Sequence, residues 1–367
     1  RDWSSDVCST DLGNNSEEQN SPVPVKEVSH PYPEKENIEA TEEIIKKIGD
    51  LENALVIFLI SGGGSALFSS PFEGISISEL NELNRFLIRS GANIHQINAV
   101  RKHISRVKGG RFAKLCKEKG DLVSLIISDV VGDDLSVIAS GPTYPDDSTY
   151  TDAKKVLKDF HIWDEVSKNI RNHIENRIKS KIEETPNSVK SYNFLIGNNM
   201  TALNGAKEVA KKHGLNPLIL TSQNQGEARE VAKPYTGIAK EVQDTGNPIE
   251  TPAALIFGGE MIVTFESMDS ESGKGGPNRE FVLASAIEIA DRENIVVASV
   301  DSDGIDGIEK AGAIADTNSI KRSNLDAKEF LLSHSTQDFF DSIDDSIEFD
   351  SRTNVNDISV IIIDEKK

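Results

Sequence analysis

The sequence predicts an α/β protein of two domains: a Rossmann-like parallel sheet flanked by helices, followed by a second α/β domain. Three observations predict it. From residue 37 onward, short apolar runs rich in β-branched residues alternate with stretches whose apolar residues recur at helical spacing. Polar residues fit for chemistry cluster directly after the apolar runs, which is where open α/β sheets hold ligands. A chain of 367 residues also exceeds what one core usually serves.

The elements follow in order. Glu39 to Ile48 carries Ile44, Ile45 and Ile48 at helical spacing, and Ala54 to Ile60 is an unbroken apolar run that reads as a buried parallel strand. Ser78 opens a capped helix that ends near Gly91, and a second helix runs from Ile94 to Val107. Leu122 to Ile127 is the next strand, closed by Ser128-Asp129, with helices at Thr151–Phe160 and Val166–Ile182. Strand, helix, strand and helix then occupy Asn193–Ile196, Ala202–His213, Pro217–Thr221 and Gly226–Val242. Two strands, Ala253–Phe257 and Ile262–Phe265, are expected on either side of Gly-Gly-Glu, before a strongly apolar helix at Phe281–Ala290. Ile295–Val300 and Val360–Ile363 complete the strands, and the alternation implies parallel sheets covered on both faces. The polar stretch Glu183–Lys190 with Pro186 marks a domain junction, so the expected domains are 37–185 and 190–367.

Composition narrows the function. With 60 acidic and 40 basic side chains the formal charge is −20, which disfavours a nucleic-acid or anionic-membrane partner. The longest apolar run, seven residues, falls far short of the roughly 20 that span a bilayer. Two cysteines, Cys8 and Cys116, are too few for a disulfide framework and suit a reducing compartment, so a cytoplasmic location is expected. Residues 1–12 show no period and resemble the conceptual translation of a sequencing-adapter oligonucleotide. Residues 13–36 read as a polar, proline-broken lead-in, so 1–36 is expected to be non-native or disordered.

Four polar clusters sit at strand ends. Ser61-Gly62-Gly63-Gly64-Ser65 lets the backbone turn tightly and offer N–H and hydroxyl donors to a phosphate or carboxylate, although such a turn is also a common tight corner. The stretch from Asn98 through Arg101, Lys102 and Lys108 to Arg111 concentrates cations that suit polyphosphate, or that line the solvated face of a helix burying Ile97, Val100 and Ile104. In Ser128 to Asp134, Asp129 is placed to orient a hydroxyl or take its proton, and Asp134 to cap a helix. The last cluster is composite: Gly258-Gly259-Glu260, Gly273 to Glu280 and Asp301 to Gly307. Its Asp-x-Asp-Gly-x-Asp run lacks the closing Glu of a calcium loop, so phosphate and Mg²⁺ handling is the better reading.

At these clusters the chain resembles the class II glycerate 2-kinases, whose carboxyl-terminal part is the MOFRL domain, here about 253–363. The resemblance is carried by LISGGGSAL (59–67), INAVRKHIS (97–105), SDVVGDD (128–134), IASGPT (138–143), GGE (258–260), GKGGPNREF (273–281) and DSDGIDGIEKAGAIAD (301–316). It implies a cleft between two α/β domains and transfer of the γ-phosphoryl group of ATP, with Mg²⁺, to the 2-hydroxyl of D-glycerate, giving 2-phosphoglycerate. Carried over by position, Ser61 to Ser65 with Asn98, Arg101, Lys102 and Lys108 would bind substrate and phosphate. Asp129 would be catalytic, and Glu260, Asn278, Glu280, Asp303 and Asp306 would face them from the second domain. A homodimer is the assembly expected.

Two departures accompany the resemblance. The family's Gly-Ala-Gly-Lys turn, upstream of His30-Pro31 and carrying a lysine taken to be catalytic, has no match here. An amino-terminally truncated kinase of reduced activity is therefore expected. Pro277 stands where many members carry an arginine, and helix geometry points Arg279 elsewhere. The alternatives are a hydroxypyruvate reductase, although no Gly-x-Gly-x-x-Gly follows a strand, and a non-catalytic binder of phosphorylated hydroxyacids.

Overall fold

The computed structural model describes residues 7–9, 25–180, 183–264, 273–351 and 353–365. The chain divides into two compact units, residues 1–127 with 134–196, and residues 128–133 with 197–367. Most of the adapter-like segment and of the polar lead-in, 1–6 and 10–24, lies outside the described residues, as do Lys181, Ile182 and Phe265 at the ends of two expected elements.

In the first unit β1 (Val7–Ser9) pairs in parallel with β2 (Val25–Glu27). The end of the lead-in is ordered: the backbone N–H groups of Ser29 and Glu34 both donate to Oδ1 of the buried Asn37. Helix α1 (Lys35–Gly49) begins four residues earlier than its apolar period, because Glu34 and Asn37 cap it reciprocally. Then come β3 (Ala54–Ile60), the short α2 (Gly64–Leu67), α3 (Ile77–Arg89), α4 (Ile94–His103), α5 (Arg111–Cys116), β4 (Gly120–Ile127), α6 (Tyr150–Asp159), α7 (Lys168–Ser180) and β5 (Tyr192–Gly197). Strand β4 lies between β3, its parallel neighbour, and β5. Ser76, Asn93 and Thr149 close capping boxes at α3, α4 and α6. Helix α4 stops at His103 rather than the expected Val107, because Gly109 and Gly110 turn to donate to the carbonyls of Ser140 and Gly141.

The expectation of a sheet covered on both faces fails here among the described residues. Alternate residues of β3 point opposite ways: Val56 and Phe58 go into a core with Phe68, Phe112 and Leu122 and Ile60 is buried, whereas Leu55, Ile57 and Leu59 are exposed. Phe194 and Ile196 of β5 are exposed as well. A second core of this unit joins α3, α4, α6 and α7 through Leu83, Leu87, Val100, Leu157, Ile170 and Ile174.

The second unit holds α8 (Asn199–Lys212), β6 (Asn216–Glu227), α9 (Ala228–Thr245), β7 (Ala253–Ile262), α10 (Pro277–Ile289), β8 (Ile295–Asp301), β9 (Gly312–Asp316), α11 (Ser319–Arg322), α12 (Ala327–Leu332), α13 (Thr336–Asp341), β10 (Ser346–Ile347) and β11 (Asp357–Ile363). The sheet order is β10-β9-β8-β11-β7-β6, and it is mixed rather than parallel: β6 and β7 run together, but β11 enters between β7 and β8 antiparallel to both. The strands expected on either side of Gly-Gly-Glu are one strand, β7, since β6 and β11 pair with Gly258 and Gly259 and carry it through. Strand β9 escapes sequence reading because Gly-Ala-Ile-Ala-Asp lacks a run of large apolar residues. Helix α10 is buried all round, with Pro277 at its first turn, and packs with α9 on one face of the sheet. Tyr235 stacks on Phe257 at 3.8 Å, while Leu203 of α8 meets Ala254 and Ile256 on the other face.

Among the described residues no helix is long and apolar enough to cross a membrane. Phe257 is fully buried and touches both Tyr235 and Phe281. Phe257→Ala is expected to cost about 3–5 kcal/mol, checked by denaturant unfolding.

Candidate functional site

In the first unit the glycine-rich turn follows β3 as the strand-end rule expects. Gly63 sits at φ +77°, with the His30 ring where a Cβ would need room, and a Cβ on Gly64 would lie 2.7 Å from that of Ala139. The turn is packed against the segment 138–141, in which Ala139, Ser140 and Gly141 take successive φ values of 51°, 61° and 62°. Two consecutive non-glycine residues in the left-handed region store strain of about 1–3 kcal/mol each. That conformation aims the Ser140 hydroxyl at Ser65 Oγ (2.9 Å) and at Asn98 Oδ1 (2.9 Å). Asn98 is buried, and its Nδ2 has no partner among the described residues.

The cation cluster is largely engaged from within. Lys108 Nζ donates to the carbonyls of Ser65 (2.6 Å) and Phe68 (3.1 Å), tying the glycine turn down from below. Burial, and then the charge of Arg101, bring its pKa down to about 7. Lys102 forms a buried pair with Asp146 at 3.0 Å. Burial would raise the Asp146 pKa, but Lys102, Thr185 and Ser148 together carry it below the usual carboxylate value. Arg101 Nε donates to Asn84 Oδ1, and burial lowers the Arg101 pKa. These three cations hold the fold rather than standing open to a polyphosphate, because each has a short internal acceptor.

In the second unit Asp129 belongs to the loop 128–133, where the Ser128 N–H donates to the Gly197 carbonyl and Asn198 Nδ2 donates to Asp133 Oδ2. Loss of solvent around its carboxyl, and then the charge of Asp129, raise the pKa of Glu260 at the end of β7. At the end of β8, Asp301 accepts from the Asp303 N–H, and burial followed by the Asp303 charge pushes its pKa up to about 8. Across the sheet Asp357 pairs with both Asp301 and Gly259, and accepts from the Met261 N–H (2.8 Å) and Asn278 Nδ2 (2.6 Å). Burial pushes the Asp357 pKa up to about 7.

Asn278, Glu280 and Asp306 are turned into the unit's own interior. Asp306 is met by the backbone N–H groups of Asn278 and Arg279 and by Arg279 Nε at 3.0 Å, a pair with no exposure on either side chain. Burial raises its pKa against these bonds. Glu280 accepts from His334 at 2.8 Å. Arg279 also reaches Gln337 and the carbonyls of Asp306 and Ile308, so it faces inward as its helix position dictates. Asp303 and Glu260 keep solvent contact.

Residues 2–175 match a family described as Domain of unknown function (DUF4147), and residues 253–357 match the MOFRL family. The chain is 40% identical over 356 residues to a glycerate 2-kinase of Pyrococcus horikoshii, covering 94% of this chain and 79% of that one. The chain belongs to the glycerate 2-kinase (MOFRL) family. The crystal structure of a glycerate kinase from Thermotoga maritima superposes with a TM-score of 0.87 at 36% identity, over 98% of this chain and 85% of that one. A relative from Agrobacterium vitis, 38% identical over 93% of this chain and 88% of its own length, carries a hydroxypyruvate reductase name.

Asp301 opens the last stretch of the composite cluster without being carried over as a site residue, and Asp357 is not singled out by the sequence at all. Asp301 obeys the strand-end rule and lay inside a quoted motif, whereas Asp357 opens an antiparallel strand, where that rule does not look.

Replacing Arg279 by Met leaves the buried Asp306 carboxylate its two backbone donors but no charge partner, and is expected to destabilise the protein by about 3–5 kcal/mol in denaturant unfolding. Lys108 has a folded pKa near 7 against an ordinary 10.5. Below about pH 7 its ammonium is charged both folded and unfolded, and its desolvation opposes folding in full. Towards alkaline pH the folded chain sheds that proton first, and the opposition fades. The melting temperature of wild type relative to Lys108→Met should therefore rise between about pH 6 and pH 9.

Proposed function

We propose that this chain is an ATP-dependent glycerate 2-kinase, transferring a phosphoryl group to the 2-hydroxyl of D-glycerate. The observation that carries the reading is the junction of the glycine turn with Ser65, Ser140 and Asn98, in a chain 40% identical over 94% of its length to a glycerate 2-kinase. A turn without side chains lets phosphate oxygens approach the backbone, and Lys108 holds it through the Ser65 carbonyl. Phosphoryl transfer needs positioning and charge neutralisation more than covalent help, so a turn held this firmly suits the reaction.

Asp129 takes the proton of the acceptor hydroxyl. Burial and then the charge of Asp129 raise the pKa of Glu260, so the two carboxyls are near enough to interact. ATP supplies the phosphoryl group when bound. Among the described residues no three His, Cys, Asp or Glu side chains form a ready-made metal cage. Mg²⁺ at a kinase site takes one or two carboxylates and completes its shell with phosphate and water, a donor set that Asp301 and Asp303 fit.

The test is ADP release with D-glycerate. Asp129→Asn is expected to lower kcat by a factor of about 10²–10⁴ with little change in ATP affinity. NADH oxidation with hydroxypyruvate, without dependence on ATP, would reject the reading in favour of the reductase.

A further inference from the structure

Beside the glycine turn, and wholly within the first unit, lies a cavity of about 270 Å³ whose wall includes Asn98, His95, Asp134, Ser136, Asp147 and Ser148. Asn98 is 2% exposed, and its Nδ2 is a buried donor without a partner among the described residues. A buried amide N–H left unmade is costly, so an acceptor brought by a ligand is favoured at this point. The oxygen of the same amide already accepts from the Ser140 hydroxyl, and through it is linked to Ser65 of the glycine turn. One side chain thus joins the turn to the cavity.

The charges decide what enters. Lys102, in the cavity wall, is matched by Asp146 at 3.0 Å and has no charge to spare. Asp147 remains, together with Asp134, whose Oδ1 accepts from the Ser136 N–H at 2.8 Å and whose Oδ2 lies 3.8 Å from His95 Nδ1. An anionic head would meet two carboxylates, whereas adjacent neutral hydroxyls would donate to them. Carboxylates facing a vicinal diol are how nucleotide folds commonly hold a ribose. The exposed Tyr144 adds an apolar wall.

We propose that this cavity receives the ribose of the nucleotide, with Asp134 and Asp147 accepting its 2′- and 3′-hydroxyls and Asn98 Nδ2 donating to a ring or base acceptor. The phosphates then lead from it towards the glycine turn. The assignment rests on the kinase reading, and it places the nucleoside, not the acceptor acid, in this hollow.

Calorimetric titration of the full chain with ATP and with 2′,3′-dideoxy-ATP tests it. Wild type is expected to bind ATP about tenfold or more tightly than the dideoxy analogue, from the loss of two charge-assisted hydrogen bonds. Asp134→Asn with Asp147→Asn should weaken ATP to the level of the analogue and leave the analogue's own affinity unchanged. Asp147 is exposed, so Asp147→Asn alone keeps the comparison available if the double variant does not fold. Equal affinities of wild type for the two nucleotides, with ADP release from D-glycerate intact, would overturn the ribose assignment and spare the kinase. Failure to bind either nucleotide, with no ADP release, would overturn both. Binding of D-ribose alone, with the two nucleotides indistinguishable, would give the cavity to a free polyol and likewise overturn the assignment.

Discussion

Asp306 carries a carboxylate to a place water does not reach, and the second unit is arranged around answering it. Two backbone N–H groups at the start of α10 and the guanidinium of Arg279 all converge on it. An isolated charge so deep would be ruinous, and even a good pair repays its desolvation only when the remaining hydrogen bonds are made. Here they are made, and each partner has a second duty. Asn278 passes on to Asp357, and Asp357 holds the Met261 N–H of β7, so helix, loop and two strands share one polar skeleton. The apolar residues of α10 press the helix onto the sheet, but only this network fixes its rotation and depth.

The first unit follows a similar logic with different parts. One lysine pairs with Asp146, another spreads over two carbonyls to hold the glycine turn, and the Ser65–Ser140 bond joins that turn to the left-handed segment 138–141. Strain in that segment is tolerated because backbone bonds from Gly109 and Gly110 hold it from one side and Ser65 and Asn98 meet it from the other. Cations that look like ligand-binding groups in the sequence are thus engaged in holding the first unit together. The Asn98 nitrogen is the exception, a buried polar atom that finds no partner among the described residues.

Much of the framework was legible from periodicity. The short apolar runs at 54–60, 122–127 and 295–300, rich in β-branched residues, became strands, although one face of the first stays exposed. The start expected at Ser78 falls within two residues of the cap the structure uses, Ser76, and the start expected at Ile94 is where α4 begins behind its cap Asn93. The Gly-Gly-Glu segment was misjudged as a break, because glycine weakens a strand in isolation and only the neighbouring strands on both sides carry it across. The same limitation hid the antiparallel insertion of β11 and the modest β9.

The chain alone determined its α/β class, the order of its elements and the position of its polar clusters at strand ends, since these depend on residues within a few positions of one another. It also carried its family membership, because ordered motifs along a chain are read without coordinates. Only the tertiary structure decided which charged groups are spent on the fold. Lys102 meets Asp146 across 44 positions, Lys108 meets the Ser65 carbonyl across 43, and Asn278 meets Asp357 across 79. Partnership at such separations is set by how the elements pack, and no local pattern records it.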